Sequence, residues 1–162
     1  MTISVKIRKI EKKDNQIVGE IVQASLEFKG LAVKGTAYYD PYLFDLFEVY
    51  QKPNACYWVL EKDGKVIGGG GVGPFASDKN IGELQKLYII ESEQGHGYAH
   101  LIMEKALEFA KQYYEKLYIE TFASLDKANK LYMKYGFNKI NQPLEGTEHS
   151  ACNTWLLKKL SE

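Results

Sequence analysis

Two glycines, Gly95 and Gly97, stand one residue apart at the start of an amphipathic segment whose pattern predicts a helix. The first N–H groups of a helix have no partner within it, and that end carries about half a positive charge. Glycines at such a place let an anion approach the bare main chain. The chemistry that this turn predicts is the binding of a phosphate group.

A second glycine-rich run bears on whether that phosphate belongs to a dinucleotide. Dinucleotide-binding turns follow G-x-G-x-x-G between a strand and a helix. At Gly95 the pattern fails because His100 replaces the third glycine, and the same letters recur at residues 68–73, where Pro74 follows and no helix does. The sequence therefore disfavours a nicotinamide or flavin enzyme. We expect residues 68–73 to form a strand with close backbone packing or a bulge.

A different pattern, Q/R-x-x-G-x-G/A, is filled by Gln94, Gly97 and Ala99 between a predicted strand and a predicted helix. Further along the chain, the letters Y-x-x-x-G-F begin at Tyr132. With these two motifs the chain resembles the GNAT acetyltransferase superfamily, over roughly residues 55–160.

The resemblance implies acetyl-coenzyme A as co-substrate. Main-chain N–H groups of the glycine turn would bind its pyrophosphate, and the strand before the turn would pair with the pantetheine arm. A main-chain N–H near Ile89 would polarise the thioester carbonyl. The coenzyme-binding residues implied in this way are Leu87, Tyr88, Ile89, Gln94, Gly95, His96, Gly97, Tyr98 and Ala99.

The same resemblance implies two catalytic residues. Tyr132 corresponds to a tyrosine that family members often place by the coenzyme sulfur, where a phenol can protonate the departing thiolate. Glu83 stands four residues before Leu87, much as the base glutamate does in the histone-acetylating branch. Transfer to an amine needs such a base, because the free amine is the nucleophile. Strand alternation would place the side chains at positions 83, 85, 87 and 89 on one face.

Other interpretations of these residues stay open. Glu83 could instead be a strand-end carboxylate paired with Lys86 or another lysine, and Tyr132 could simply pack under Phe137. The family often has an asparagine at the start of the last helix, and Leu125 stands there in this chain. No role is transferred to that position.

His149 and Cys152 invite a metal or a nucleophile interpretation. A zinc site usually needs three or four ligands, and the sequence offers no second pair at a suitable spacing. We therefore expect no metal, and a structural or substrate-side role for these two residues. An aromatic stretch forms the acceptor wall in the family, so we expect one or two of its residues to contact the acceptor, and Tyr38 and Tyr39 are the pair to test. The stretch contains Tyr38, Tyr39, Tyr42, Phe44, Phe47 and Tyr50.

Periodicity and turn residues predict the elements that would hold these groups. Alternation of Ile3, Val5 and Ile7 predicts a first strand, Asp40-Pro41 the start of a short helix, and Asp63-Gly64 a tight hairpin turn. A helix from residue 15 to 28 should bury one face, which consists of Ile17, Ile21, Ala24 and Phe28. The other predicted strands are 56–61, 65–73, 82–90, 116–122, 137–140 and 152–160, and the other predicted helices are 97–113 and 126–135.

The order strand, helix, strand, helix between residues 82 and 135 predicts a parallel strand pair. With the resemblance, this implies an α/β (α+β) fold: a central mixed, mostly antiparallel sheet with a splayed parallel pair, flanked by helices. A length of 162 residues fits a single domain spanning 1–162.

Composition limits the partners. The 21 basic and 21 acidic residues cancel and form no long run, so neither nucleic acid nor a membrane is an expected partner. No apolar run approaches the roughly 20 residues of a membrane span. The N-terminus lacks the apolar core of a signal peptide, and two distant cysteines, Cys56 and Cys152, favour a reduced, cytoplasmic protein.

The sequence thus predicts an N-acetyltransferase that moves the acetyl group directly to a primary amine of a small molecule or peptide, in a ternary complex. Two alternatives stay open: a transferase of another acyl group, and a non-catalytic coenzyme A-binding or interaction module. A homodimer is an expected assembly, because the exposed last strand of such a sheet could support one.

Overall fold

The computed structural model describes residues 4–76 and 78–160, so the predicted place of Ile3 in the first strand lies outside the described residues. Within them the chain alternates between strands and helices. In order these are β1 (Val5–Lys9), α1 (Asn15–Phe28), α2 (Leu46–Val49), β2 (Cys56–Lys62), β3 (Lys65–Phe75), β4 (Asp78–Ile89), α3 (Tyr98–Tyr113), β5 (Lys116–Thr121), α4 (Asp126–Lys134), β6 (Asn138–Ile140) and β7 (Thr154–Lys159). None of these helices could cross a membrane.

The strands form one sheet in the order β1-β2-β3-β4-β5-β7-β6. Every neighbouring pair is antiparallel except β4 and β5, which are parallel. Their pairing runs only from Ile81 opposite Lys116 to Glu83 opposite Tyr118, and beyond it the two strands separate. The predicted mixed sheet with one splayed parallel pair is confirmed.

Helices cover both faces of the sheet. Alternation along β2 divides the core accordingly: Cys56 and Trp58 pack with residues of α3, whereas Tyr57 and Val59 pack with residues of α1 and α2. Phe137, which follows α4, belongs to the α3 side. One face of β4 therefore lies on the α3 side of the sheet and the other on the α1 side. The face on which a β4 side chain lies decides which of these helices it can contact.

The hairpin and the glycine run follow the prediction. Asp63 and Gly64 both have positive φ in the turn between β2 and β3. A Cβ added to Gly68 would lie 2.6 Å from the Tyr88 carbonyl oxygen, and one added to Gly70 would lie 2.8 Å from Ile102 Cγ2. The run is therefore a strand whose neighbours lie too close for side chains, as expected.

The predicted core face of α1 is wrong. Ile21 is buried, but Phe28 is 64% exposed and Ile17 is 39% exposed. The helix instead buries the row that starts at Val18 and continues through Val22 and Leu26, because that row packs against the sheet. On the neighbouring side of α1, Ala24 and Phe28 line a surface groove instead.

Two further expectations are corrected. The short helix begins at Leu46 and not at Asp40, because Pro41 lies in a turn and the Asp40 carboxylate binds side chains elsewhere. The last strand is not at an edge of the sheet: β7 lies between β5 and β6, and the three-residue β6 forms that edge. The argument for a dimer through the last strand therefore fails.

Candidate active site

A groove of about 700 Å³ lies where β4 and β5 separate. Its floor and walls come from the second half of β4, the glycine turn, the start of α4 and the exposed side of α1. From α1 the groove receives Ile21, Ala24 and Phe28, which explains why these apolar residues are not all buried in the core.

The glycine turn is built for an anion. Gly95 and Gly97 have φ values of +85° and +79°, and Gly97 is the residue that precedes α3. A Cβ added to Gly95 would meet no atom within 4 Å, so the turn is open to the outside. Within the described part of the chain, the N–H groups of residues 95–99 find no main-chain acceptor. The turn therefore presents several donors at the positive end of a 16-residue helix.

The residues around the turn brace it. The Gln94 side chain donates a hydrogen bond of 2.9 Å to the carbonyl oxygen of Ile89, which ties the turn to the end of β4. Lys62 and Glu93 form an ion pair of 2.7 Å beside it. The Gln94 side chain thus stabilises the turn.

Nearly all of the predicted coenzyme-binding residues line this groove. His96 does not: its ring packs against Tyr98, with 5.5 Å between the ring centroids. His100 lines the groove, and its Nδ1 lies 2.8 Å from the Tyr135 hydroxyl. The predicted residues that do line the groove are Leu87, Tyr88, Ile89, Gln94, Gly95, Gly97, Tyr98 and Ala99.

A bulge in β4 overturns the predicted alternation of the strand. Gln85 pairs with Gly71 and Tyr88 with Gly69, so β4 carries one residue more than β3 between these pairs, and Lys86 has a φ of +50°. As a result, positions 83 and 85 face the α1 side, whereas Leu87 and Ile89 pack toward α3. The four side chains at 83, 85, 87 and 89 do not share one face.

A second cavity of about 460 Å³ lies on the α1 side of the sheet. Tyr42, Tyr50, Phe75 and Glu148 are among its lining residues. Five residues line both this cavity and the groove, and they mark the place where the two meet. These shared residues are Glu83, Gln85, Lys86, Glu120 and His149.

Glu83 stands at this junction in an unusual electrostatic environment. Gln85 donates a hydrogen bond of 2.8 Å to its Oε1. Burial raises the pKa of the Glu83 carboxyl to about 7, with a contribution from Glu120, although Gln85, His149 and Lys86 act in the opposite direction. A carboxyl group with a pKa near neutrality can take up and release a proton at physiological pH. The alternative pairing with Lys86 is wrong, because Lys86 binds Asp40.

Tyr132 lines the groove from α4. It is 6% exposed, and its ring meets that of Phe137 edge to face, with 6.2 Å between the centroids. Burial raises the pKa of the phenol further above its usual value, so the hydroxyl stays protonated at neutral pH. Tyr132 therefore packs against Phe137 and also lines the groove.

The start of α4 contributes Ser124, Asp126 and Lys127 to the groove, together with apolar side chains. Leu125 precedes the helix and lines the groove. Asn129 is buried and donates a hydrogen bond of 2.9 Å to the carbonyl oxygen of Phe122. The asparagine near this position therefore holds the main chain at the end of β5.

Sequence reasoning missed a buried ion cluster beside Glu83. The Asp40 carboxylate accepts hydrogen bonds from Lys86 at 2.8 Å and from His149 at 3.2 Å, and the Lys86 side chain is 5% exposed. Burial alone would raise the pKa of Asp40, but these partners bring it below its usual value. For His149, burial lowers the pKa, but the hydrogen bond and the charge of Asp40 outweigh this effect and raise it. No sequence spacing links these three residues, because they come from two loops and the bulge.

Cys152 also lines the groove, near the junction. Burial raises the pKa of its thiol to about 12, with contributions from Glu120 and Glu83. The thiolate, which is the nucleophilic form, is therefore scarce at neutral pH. Within the described residues, no group of three His, Cys, Asp or Glu side chains could hold a metal ion.

Tyr38 and Tyr39 are not brought to either cavity, which corrects the expectation for them. Tyr38 donates a hydrogen bond of 2.9 Å to Glu27, and Tyr39 is 57% exposed. Tyr42 and Tyr50, from the same aromatic stretch, reach the second cavity instead. The difference arises because the chain turns between residues 40 and 45, a feature that composition alone does not reveal.

Comparison with known proteins agrees with this geometry. A family model described as the acetyltransferase (GNAT) family matches residues 13–137. The chain is 36% identical to YjgM, an uncharacterized N-acetyltransferase of Escherichia coli (strain K12), over 95% of this chain and 94% of that protein. It is 33% identical to N-acetylaspartate synthetase of Xenopus tropicalis, over 59% of this chain and 36% of that protein.

Solved structures share the fold. An acetyltransferase of the GNAT family from Staphylococcus aureus Mu50 has a TM-score of 0.82 at 16% identity, with 98% of this chain and 100% of that chain covered. The structure of yncA from Salmonella typhimurium, with its cofactor acetyl-CoA, has a TM-score of 0.78 at 19% identity, covering 98% and 95%. The chain belongs to the GNAT family of acetyltransferases and is an acyltransferase.

Proposed function

We propose that this protein transfers the acetyl group of acetyl-coenzyme A directly to a primary amine of a small molecule or peptide, in a ternary complex. The observation that carries this proposal is the meeting of the groove and the second cavity at Glu83. One compartment fits an elongated anionic co-substrate, and the other is a compact polar space for an acceptor. A base stands where their reacting ends would meet.

The groove residues fit the coenzyme. The N–H groups of residues 95–99 would hold its pyrophosphate at the start of α3. The stretch of β4 beyond Glu83, which has no strand partner on the β5 side, would hydrogen-bond the pantetheine arm. When bound, acetyl-coenzyme A supplies the activated acetyl group, and the chain supplies position and proton transfer.

The junction residues supply the acid and the base. The deprotonated Glu83 carboxylate takes a proton from the acceptor ammonium, which frees the nitrogen lone pair to form the new C–N bond. The C–S bond of the thioester breaks, and the Tyr132 hydroxyl donates its proton to the departing sulfur. The second proton that the nitrogen loses as the amide forms returns Tyr132 to its protonated state. The pKa of about 7 for Glu83 and the raised pKa of Tyr132 match these two roles at neutral pH.

The chemistry of Cys152 supports direct transfer over an acyl-enzyme. A cysteine nucleophile needs an appreciable thiolate fraction, and a pKa of about 12 leaves very little at neutral pH. The base at the junction would therefore act on the amine itself, and both substrates would occupy the site together.

Calorimetric titration with acetyl-coenzyme A tests the coenzyme site. Gly97→Glu should abolish binding, because its side chain enters the anion site with a like charge. Gly64→Glu is the matched control, since Gly64 has a φ of +82° in an open hairpin turn away from the groove. Binding by wild type and Gly64→Glu, with loss in a folded Gly97→Glu, supports the proposal. Equal binding by both variants contradicts it.

Release of the coenzyme A thiol with a panel of acceptors tests the transfer. The panel should include monoamines, diamines, amino acids and short peptides, with aspartate among them because the relative from Xenopus tropicalis is named a synthetase of N-acetylaspartate. Amine-dependent thiol release and an acetylated product support the proposal. Binding of the coenzyme without transfer to any amine, or faster transfer from a longer acyl thioester, contradicts it.

A further inference from the structure

We infer that Gln85 is a positioning residue for Glu83: its amide, oriented by the Tyr50 hydroxyl, holds one carboxylate oxygen and leaves the other to face the acceptor amine. This inference rests on the proposed role of Glu83 as the base. It concerns a residue that neither the sequence motifs nor the family resemblance singles out.

The hydrogen bonds define the orientation. The Tyr50 hydroxyl donates to Gln85 Oε1, and Gln85 Nε2 donates to Glu83 Oε1 at 2.8 Å. Burial raises the pKa of Tyr50 well above its usual value, so its hydroxyl is a donor at neutral pH. A donor on Oε1 forces the amide nitrogen toward Glu83. Across residues 4–76 and 78–160, Glu83 Oε2 has no hydrogen-bond partner, and it is the oxygen that can receive a proton.

The glycine run of β3 makes room for this chain of hydrogen bonds. Gly71 pairs with Gln85, and Gly73 pairs with Glu83, in the β3–β4 ladder. A Cβ added to Gly71 would lie 3.2 Å from Tyr50 Cε1, and one added to Gly73 would lie 3.1 Å from Gln85 Oε1. Side chains at these two positions would therefore crowd the Tyr50 ring and the Gln85 amide. The run that fails as a dinucleotide motif has a specific use in this site.

The other groups that face Glu83 bear charge or titrate, whereas Gln85 is neutral at every pH. Gln85 is the only hydrogen-bond partner of Glu83 among the described residues, and it does not titrate. Its removal should raise the pKa of Glu83, because its hydrogen bond favours the ionised carboxylate. The charged or titratable groups around Glu83 are Glu120 on β5, Lys86 on β4, His149 and Cys152 in the loop before β7, and Tyr42, Tyr50 and Tyr118.

Two variants test the inference. Gln85→Met keeps the volume and removes both hydrogen bonds, whereas Tyr50→Phe keeps the ring and removes only the orienting donor. Two readouts are the acid limb of kcat/KM for the acceptor and the titration of the Glu83 carboxyl by carbon-13 NMR. In Gln85→Met both pKa values should rise by about one unit, and kcat at neutral pH should fall about tenfold. The Kd for acetyl-coenzyme A should stay within about twofold, because the groove beyond the junction is unchanged.

Tyr50→Phe should also raise both pKa values, but by less than Gln85→Met does. The double variant should have the same pKa values as Gln85→Met alone, because the two residues act through one hydrogen bond to Glu83. Tyr57→Phe is the matched control: it removes a neighbouring buried hydroxyl, which donates to the Lys86 carbonyl oxygen, and should leave the Glu83 titration in place. Additive effects of Tyr50→Phe and Gln85→Met would overturn the inference. So would a shift of the Glu83 titration in Tyr57→Phe as large as that in Gln85→Met.

The NMR titration separates this inference from the proposed function, because it needs no turnover. A shifted titration in a protein that acetylates no amine supports the positioning of Glu83 and contradicts its role as base. Normal transfer with an unmoved titration in Gln85→Met overturns the positioning role and leaves the proposed function standing.

Discussion

Glu83 and Tyr118 form the last pair between the parallel strands β4 and β5. Tyr118 donates a hydrogen bond of 2.9 Å to Glu120, the next residue on the same side of β5, so the carboxylates of both strands are held at the point where the gap opens. The candidate base is thereby fixed to a paired part of the sheet, while the coenzyme would bind to the unpaired part. Rigid support of this kind limits the motion of a catalytic group.

The pH dependence of acetyl transfer should follow Glu83. We expect kcat/KM for the acceptor to rise with pH through about 7, because only the ionised carboxylate can accept the proton. Glu83→Gln should remove this limb and lower kcat by about 10²-fold or more. Steady-state rates from pH 5 to 9 check both effects, with Glu108→Gln on the exposed side of α3 as control. An unchanged acid limb in Glu83→Gln would exclude the base role.

Glu83 should also make folding stability depend on pH. The pKa of Glu83 in the folded state lies above its value in the unfolded chain, so the protonated side chain favours the folded state. This contribution to stability is fully present below the unfolded pKa and is lost as pH rises through about 7. At pH 8 the ionised side chain should cost up to about 3 kcal/mol. Glu83→Gln should therefore melt at a higher temperature than wild type at pH 8, with little difference at pH 4. Equal melting temperatures at pH 8 would contradict the raised pKa.

Tyr132 should affect chemistry more than binding. Tyr132→Phe keeps the ring that packs on Phe137 and removes the proton donor, so kcat should fall about 10- to 100-fold while the Kd for acetyl-coenzyme A changes little. Rapid-quench rates and calorimetry measure the two quantities. Tyr113→Phe, an exposed tyrosine of α3, is the control. A loss confined to coenzyme affinity would show that Tyr132 only lines the groove.

Removing the counter-ion of Lys86 should destabilise the fold, because it would leave a buried charge unpaired. Asp40→Asn removes the counter-ion of Lys86, whose side chain is buried, and should cost about 3–5 kcal/mol in urea unfolding. Lys12→Gln, which breaks an exposed pair with Glu48, should cost less than about 1 kcal/mol. Adding Lys86→Met to Asp40→Asn should restore part of the loss. If Asp40→Asn cost no more than Lys12→Gln, the cluster would have no stabilising role.

Cys152 should be dispensable for transfer. Cys152→Ser is nearly isosteric, and a direct mechanism needs no thiolate, so the variant should keep most of its turnover. Mass spectrometry after incubation with acetyl-coenzyme A alone should detect no acetylated protein. An acetyl group on Cys152 that is passed to the amine would replace direct transfer by a two-step mechanism.

The sequence predicted correctly the turns whose backbone angles depend on one or two residues. Asp63-Gly64 fixes a hairpin through its backbone angles, and the glycines of residues 95–97 fix the start of α3. The burial of α1 was predicted wrongly because Ile17 and Phe28 are as apolar as Val18 and Leu26. Periodicity shows that a helix has an apolar side, but only the tertiary contacts decide which side meets the core and which meets a ligand groove.

In the candidate site, too, some features could be found from short segments of sequence and others depend on the tertiary fold. The motif of the glycine turn predicted its geometry at the start of α3, and the family resemblance singled out Glu83 and Tyr132 as candidates. The bulge at Lys86 has no such signature, because a positive φ at a lysine is imposed by the pairing of β3 with β4. Asp40 and His149 are far apart in the sequence, so their meeting depends on the whole topology.

The bulge at Lys86 also has a consequence for how this enzyme can diverge. It divides β4 into two halves whose side chains are out of phase: positions 83 and 85 face the α1 side, whereas Leu87 and Ile89 pack toward α3. Substitutions within either half keep this division, because they leave the register of β4 with β3 unchanged. A deletion of the single extra residue would instead exchange inward and outward side chains along one half. The arrangement of side chains along β4 therefore tolerates substitutions better than the loss of one residue.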